Sequence, residues 1–599
     1  MCGIVALFDY AGPGVCGDEL LRIREAMVAR GPDGEGLWIA PDRRIGLAHR
    51  RLSLLDLSEA GAQPMANADG SLRIVFNGEI YNYRELRRYL ECKGFVFRSG
   101  SDTEVLLHLY AERGGAMVEQ LRGMYAFVIW DARQRRLFAA RDPFGIKPLY
   151  LADDGRCIRI ASQVKALLAG GRIDDARDPA GQVGFLLWGY VPEPFTLYRS
   201  IQACPAGAAI TIERGGARTT RYFCRIKDEL ARLEHLAPAQ TGPEDLRSRV
   251  RAALSDSVGH HLIADVPVGV FLSAGLDSAA LTALAAEQSG SSLCSVTLGF
   301  DEYRGTEHDE TAYARQIAAA CQTNHHTRWF GRDQFEAEIG KIVAAMDQPS
   351  IDGINSYFVS QAAHACGVKT ALSGLGGDEL FGTYPSFRDV PRMVRLLRGM
   401  HLSAAGSLVR RMAAPLVGRI VPGKYAGLLE YGGTYAGAYM LRRGLFMPWE
   451  MARLLPPECV LAGWQRLAAL ERLEETTAGI RSARLKVSAL EMSWYMRNQL
   501  LRDSDWAGMA HSVEIRVPMV DIEVLRALVP VLANRPVEGK CVLGHTPSQP
   551  IARELLQRPK TGFAVPVHKW LPAAGRRATL GAGLRNWALH LTRTFAMVS

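Results

Sequence analysis

The chain has 599 residues, 48% apolar and 22% charged, with 20 Phe, 19 Tyr and 10 Trp spread along its length. That length exceeds one hydrophobic core, so at least two domains are expected, and the composition excludes extensive disorder. The formal charge of +9 comes from dispersed arginines, which fits a solvated basic surface and no nucleic-acid partner.

Eleven cysteines without a CxxC pair exclude a disulfide framework or zinc site and fit a reducing cytoplasm. The opening MCGIVALFDY lacks the basic region of a signal peptide. The longest weakly charged stretch, Val266 to Ala286, contains Pro267 and Asp277. A central Asp costs about 3 kcal/mol in a membrane helix, so no membrane span is expected.

In chain order, short strands dominate up to about Cys224, with helical periodicity over Tyr83 to Gly94 and Asp102 to Gly114. This predicts an α+β domain over residues 2–225. Residues 226–242, whose ARLEHLAPAQTG stretch is polar and contains Pro, are expected to be a linker. Residues 243–599 alternate strand and helix: Val268 to Leu272, Asp277 to Gln288, Cys294 to Phe300, Asp309 to Cys321, Val368 to Leu372. That predicts an α/β domain with a parallel sheet, and beyond Tyr384 the chain reads as mainly helical.

Cys2 becomes N-terminal when Met1 is removed, and then carries both a thiol and an α-amine. An amine with a pKa near ~7.7 to 8.0 can take the thiol proton and return it to a leaving group, so no partner histidine is needed. Downstream follow RGPDGEG (30–36), AHRRLSLLDLS (48–58), GAQPM (61–65), FNGEIYN (76–82), SDTEVLL (101–107) and RDPFGIKPLY (141–150). In order and spacing these segments resemble the class II glutamine amidotransferase domain, an N-terminal-nucleophile four-layer sandwich. The resemblance implies Cys2 as nucleophile, with Asn77 and the Gly78 N–H as oxyanion donors. It also implies Arg51 on the α-carboxylate of glutamine, with Glu79 and Asp102 at its amino group. In isolation Asp102 reads as a helix N-cap, because SDTE has capping-box spacing, and it could do both jobs.

In PVGVFLSAGLDSAALTAL an apolar strand precedes Ser273 and a helix follows Asp277, an arrangement whose backbone N–H groups bind phosphate. No G-x-x-x-x-G-K-[ST] is present. The turn resembles the S-G-G-x-D-S pyrophosphate loop of enzymes that cleave ATP to AMP and pyrophosphate. Ala274 replaces the first loop glycine, which requires negative φ there.

A second strand, Val368 to Leu372, leads into SGLGGDE (373–379). Asp277 and Asp378, at separate strand ends, are candidate Mg²⁺ ligands against a triphosphate. With RDSDWAGMAHSVEIRVPMVD (502–521) and RPKTGFAVPVHKWL (558–571), the chain is identified as a member of the glutamine-hydrolysing asparagine synthetase family. The resemblance implies an ATP-pyrophosphatase-type domain with a helical C-terminal part. It implies ATP held by Leu272, Ser273, Gly275, Asp277, Ser278, Leu298, Ser373 and Gly374, and Lys560 as a catalytic cation.

The implied reaction adenylates a carboxylate and amidates it with ammonia carried internally from Cys2, shielded from water that would protonate it. The substrates expected are glutamine, ATP and an acceptor carboxylate, with a homodimer as the expected assembly. Two positions depart from the family pattern, Leu375 and Gln163, each standing where a glutamate is usual. The expected acceptor is aspartate, giving asparagine; a uronic acid sugar or a peptide carboxylate is the alternative. A lactam-forming or peptide-cyclising enzyme would not need Cys2, and a non-catalytic interaction protein would not need two Asp-bearing ATP loops. The pairs His260–His261 and His325–His326 are expected to serve structure or packing on the adenine side, not metal binding.

Overall fold

The computed structural model of the chain describes residues 2–236, 242–289, 293–397, 410, 423–533, 540–549, 551, 565–566, 570 and 583–597. Strand β1 (Gly3–Asp9) starts directly after Cys2 and is buried at every residue. Both its faces are covered. Ile4, Ala6 and Phe8 enter a core between two sheets, while Val5 and Leu7 pack on the opposite side, as the two-residue strand period requires.

The next strands are β2 (Gly34–Ile39), β3 (Ile45–Arg51), β4 (Met65–Ala66), β5 (Leu72–Ile80), β6 (Gly123–Asp131) and β7 (Arg136–Arg141). They are followed by β8 (Tyr150–Asp153), β9 (Cys157–Ala161), β10 (Ile201–Ala203), β11 (Ala208–Ile212) and β12 (Arg218–Tyr222). Two six-stranded sheets result, ordered β10-β8-β9-β1-β3-β2 and β12-β11-β7-β6-β5-β4. Helices α1 (Gly17–Glu25), α2 (Tyr83–Cys92), α3 (Asp102–Arg113) and α4 (Val164–Ala169) cover the outer faces. Leu20 and Ile23 of α1 and Val164 and Leu167 of α4 share a core with Val5 and Leu7, while α2 and α3 pack on Phe76, Tyr125 and Phe127 of the other sheet. This is the four-layer sandwich that the resemblance implies.

Helix α5 (Pro179–Trp188) was not legible in the sequence. It is apolar all round and buried, so it shows no amphipathic period, and it packs among helices of the second half. Helix α6 (Ile226–Glu234) occupies part of the segment expected as linker, and its Ile226, Leu230 and Leu233 are buried. Helix α7 (Pro243–His261) follows.

The second half contains β13 (Val268–Phe271), α8 (Leu276–Ser289), β14 (Cys294–Phe300), α9 (Thr311–Ala320), β15 (Asn324–Phe330), α10 (Arg332–Ala345), α11 (Ile354–Ala365), β16 (Thr370–Leu372), α12 (Gly377–Phe381) and β17 (Glu514–Arg516). The five strands pair in parallel in the order β15-β14-β13-β16-β17. Strand order reverses between β13 and β16, the switch point where ligands bind open α/β sheets. The half-exposed β15 and the three-residue β17 were not predicted, because NHHTRWF lacks an apolar alternation and EIR is too short to show one.

The halves meet through apolar contact and buried charge. Tyr81, Met124, Phe144 and Ile146 of the sandwich share one core with Met496, Leu501, Val517 and Val520. The backbone N–H groups of Val164 and Lys165, at the start of α4, both donate at 3.0 Å to the carboxylate of Asp347 from the other half. Arg30, 1% exposed, makes a two-pronged pair with Asp505 at 2.6 and 3.0 Å, and its Nε donates to the Cys2 carbonyl at 3.0 Å. Arg30→Ala leaves the Asp505 carboxylate buried without this partner and should cost about 3–5 kcal/mol in urea unfolding. A loss below about 1 kcal/mol, the range of a surface pair, would contradict this packing.

Candidate functional site

The first site lies between the two sheets' ends. The Cys2 backbone N–H donates to Asn77 Oδ1 at 2.9 Å, and the thiol Sγ lies 3.9 Å from the Leu52 carbonyl. Asn77 is fully buried, and its Nδ2 has no hydrogen-bond partner among the described residues. Gly78 next to it has φ +151°, and a Cβ there would sit 2.1 Å from the Met124 carbonyl oxygen. Only glycine fits. Gln63, from GAQPM, accepts from the Phe76 N–H at 2.7 Å and donates to Thr103 Oγ1 at 3.3 Å, fixing β5 just before Asn77. Burial pushes the Cys2 thiol up, so its ionisation needs a base close by.

Arg51 ends β3 with its guanidinium held by loop carbonyls: Nη1 donates to Ser58 at 2.9 Å and Nη2 to Asp56 and, at 3.4 Å, Leu55. No carboxylate is among these partners. Asp102 is not the helix cap. Ser101 holds that position and accepts from the Thr103 N–H, while Glu104 turns back to the Arg98 and Ser99 N–H groups. Asp102 Oδ2 instead accepts from the Ile80 N–H at 2.9 Å.

Three buried carboxylates meet here. Burial pushes Asp102 up to about 7 against the Ile80 hydrogen bond, and pushes Glu79 well above the usual carboxylate range despite Arg516. Burial also opposes ionisation of Glu514, but Lys147 and Arg516 overcome it and hold Glu514 at about 2. Lys147 Nζ lies 3.7 Å from Glu514, and Arg516 reaches Glu514 at 2.8 Å and Glu79 at 3.3 Å. The sequence pointed to the segments containing Lys147, Glu514 and Arg516 without giving these residues a role, since nothing in their spacing shows that β17 reaches Glu79.

The second site is a cavity of about 260 Å³ at the switch point. Leu272, Ser273, Gly275, Asp277, Ser278, Leu298, Ser373 and Gly374 all line it, together with Leu375, Asp378 and Glu379. The first loop is self-braced: Ser278 Oγ accepts from the Ser273 N–H at 3.1 Å and lies 3.0 Å from the Ser273 and Gly275 carbonyls. Ala274 is not among the residues with positive φ, so its methyl is accommodated, and its N–H donates to Glu310 at 3.4 Å. The second loop approaches so closely that a Cβ on Gly374 would lie 2.9 Å from the Asp277 Cβ, and one on Gly377 would lie 2.2 Å from Asp277 Oδ1.

Lys540 was missed in the sequence, where it is one dispersed cation. Its ammonium is held between Asp277 and Asp378, 2.6 Å from the latter. Burial opposes its charge, yet the two carboxylates raise its pKa above the ordinary value. The Asp pair thus converges on one cation. Lys560 lies outside the described residues. His261 is buried against the Tyr81 ring, with centroids 4.0 Å apart, and His325 Nδ1 lies 2.9 Å from Ser295 Oγ.

Known proteins carry the same two parts. Residues 1–223 match the model of a glutamine amidotransferase domain, and residues 249–595 match that of asparagine synthase. The chain is 32% identical to asparagine synthetase (glutamine-hydrolyzing) 1 of Bacillus subtilis, over 95% of this chain and 88% of that one. It is 33% identical to a putative asparagine synthetase (glutamine-hydrolyzing) of Mycobacterium bovis, over 100% of this chain and 93% of the other. An amidase of Gibberella zeae is 30% identical over 65% of this chain and 60% of its own. With both models matched in tandem and full-length relatives on either count, the chain belongs to the asparagine synthase family, carrying a glutamine amidotransferase domain ahead of the synthase domain.

Proposed function

We propose that the chain hydrolyses glutamine at Cys2 and uses the ammonia to amidate a carboxylate activated by ATP, with aspartate as the leading acceptor. The observation that carries this reading is the buried Cys2 beside an Asn77 amide whose Nδ2 is unpartnered, in one chain with two acidic loops around the switch-point cavity. With Met1 removed, the Cys2 amine takes the thiol proton, and the thiolate attacks the glutamine side-chain carbonyl. Asn77 Nδ2 and the Gly78 N–H stabilise the oxyanion, each donor being worth about 2.7–4 kcal/mol. Arg51 holds the α-carboxylate, and Glu79 and Asp102 hold the ammonium group.

At the second site the Ser273–Ser278 turn and the start of α8 receive phosphate oxygens. Asp277 and Asp378 are the ligands for Mg²⁺, which supplies charge neutralisation at the phosphates. Their convergence on the Lys540 ammonium supports that fit. Lys540, and Lys560 by family resemblance, are the cations for the pyrophosphate leaving group. Domain limits of 2–225 and 243–599, a cytoplasmic setting and a homodimer belong to the same reading. Among the described residues no helix is long and apolar enough to cross a membrane.

A second acceptor reading has its own observation. Leu375 lines the cavity where the family pattern has a glutamate, so a carboxylate other than aspartate, on a sugar or peptide, is the alternative. Release of AMP and pyrophosphate, screened across acceptors, decides between them. Aspartate should stimulate release above the acceptor-free rate; stimulation by another carboxylate alone replaces aspartate in the assignment.

Cys2→Ala should abolish glutamine-dependent synthesis and leave ammonia-dependent synthesis intact, whereas loss of both contradicts two separate sites. Asn77→Ala should lower kcat for glutamine hydrolysis by roughly 10²–10³. The pH dependence follows from Asp102. Its carboxyl titrates at about 7, so below that pH it is protonated and attracts the glutamine ammonium less. KM for glutamine should therefore rise as pH falls through about 7, and Asp102→Asn should raise KM and flatten that dependence. A KM insensitive to pH in the parent enzyme would contradict this titration of Asp102, and an unchanged KM in Asp102→Asn would remove it from the binding site.

A further inference from the structure

A second cleft of about 260 Å³ opens where the sandwich, the connector and the C-terminal helices meet, and it shares no lining residue with the ATP cavity. Four cations face it: Arg225 and Lys227 from the connector, Arg472 from the helix Ala469–Thr477, and Arg497 from the helical segment Glu491–Leu501. Against them stand two carboxylates, and both are engaged. Glu193 Oε1 accepts from Arg141 at 2.8 Å, and Glu475 Oε1 lies 3.2 Å from Lys227 Nζ.

The arginines are held by carbonyls. Arg472 Nη2 donates to the Glu193 carbonyl at 3.0 Å, and Arg497 Nε to the Phe144 carbonyl at 2.9 Å. Arg225 rests on the Tyr222 ring, 3.9 Å from its centroid. Carbonyl dipoles fix the guanidiniums without cancelling their charge. Burial accordingly lowers the pKa of both Arg472 and Arg497. A bound anion would relieve that cost and would find planar two-pronged donors suited to carboxylate or phosphate oxygens. The volume is below the usual range for drug-sized ligands, so the fit is to a small metabolite.

We propose that this cleft is a binding site for a small oxyanion, a carboxylate or a phosphate compound, held by Arg472 and Arg497 with Arg225 at its mouth. The ligand bridges the halves of the chain. Arg497 already holds the loop after β7 through Phe144, and the neighbouring Asn498 Oδ1 accepts from the Glu193 N–H at 2.9 Å. Occupancy therefore stabilises the native interface, by an amount that grows with the logarithm of ligand concentration once the site is filled.

The test is calorimetric titration of the full chain with succinate in one arm and inorganic phosphate in the other, at low ionic strength. Saturable binding of at least one probe is expected, and the tighter arm names the ligand class. Arg472→Gln and Arg497→Gln should each weaken it about tenfold or more, as loss of a charged hydrogen-bond donor does, while ATP–pyrophosphate exchange is unchanged. Absence of saturable binding in both arms overturns the proposal. So does affinity unchanged in both variants, which would place the anion elsewhere, as on the phosphate-binding turn. If neither of these half-buried variants folds, the exposed Arg225→Gln decides: weaker binding supports the site and unchanged affinity overturns it.

Discussion

The arrangement depends on Arg516, a fully buried guanidinium at the end of β17. Its Nε donates to Glu514, its Nη1 donates to the carbonyls of His261 and Ile263 at 2.8 and 2.7 Å, and its Nη2 faces Glu79 across the domain seam. One cation thus ties the edge of the parallel sheet to the strand that carries Asn77 and Gly78. It also divides the buried negative charge unequally. Glu514 has both Arg516 and Lys147 and stays ionised, whereas Glu79 and Asp102, with less compensation, are pushed up. A pocket whose carboxylates lack a full set of cations is suited to receive an ammonium group, and the proposed substrate brings one. A buried ion cluster is weak support for stability taken alone; here its role is to give the glutamine pocket its polarity and to hold the two sites in one register.

The second site rests on close backbone approach. Gly374 and Gly377 let the loop after β16 touch Asp277, so two carboxylates from neighbouring strand ends face one cation, and Lys540 occupies the place between them. A chain that binds Mg²⁺ and nucleotide there must release Lys540 from at least one carboxylate.

Much of this was legible in the sequence for a physical reason. Short turns joining strand to helix constrain residue types locally, so the Ser273–Ser278 and Ser373–Asp378 loops announce themselves. Gly78 entered through the family resemblance, and its positive φ and the clash that a Cβ would make are visible only in the structure. Strand-rich patterning with two helices gave a layered α+β domain, and the four layers came from the family resemblance; that β1 is covered on both faces emerged only in the structure. What was hidden depends on distant pairing: β17 reaching Glu79, Asp347 capping α4, Lys540 between the aspartates. Asp102 shows the limit of local pattern. SDTE does mark a helix start, but Ser101 takes the cap and frees Asp102 for Ile80. Helix α5 stayed hidden because burial on all sides erases periodicity, and α6 because its polar face dominates a segment that packs three apolar residues inward.

The central claim is that ammonia released at Cys2 is consumed within the same chain. Its most direct test supplies glutamine labelled with ¹⁵N in the side-chain amide together with an excess of unlabelled ammonium, and measures the isotope in the new amide by mass spectrometry. The account predicts ¹⁵N incorporation well above the fraction in the mixed ammonia pool. A product labelled only to the level of that pool would show that the nitrogen leaves the protein before it is used, and would contradict the account.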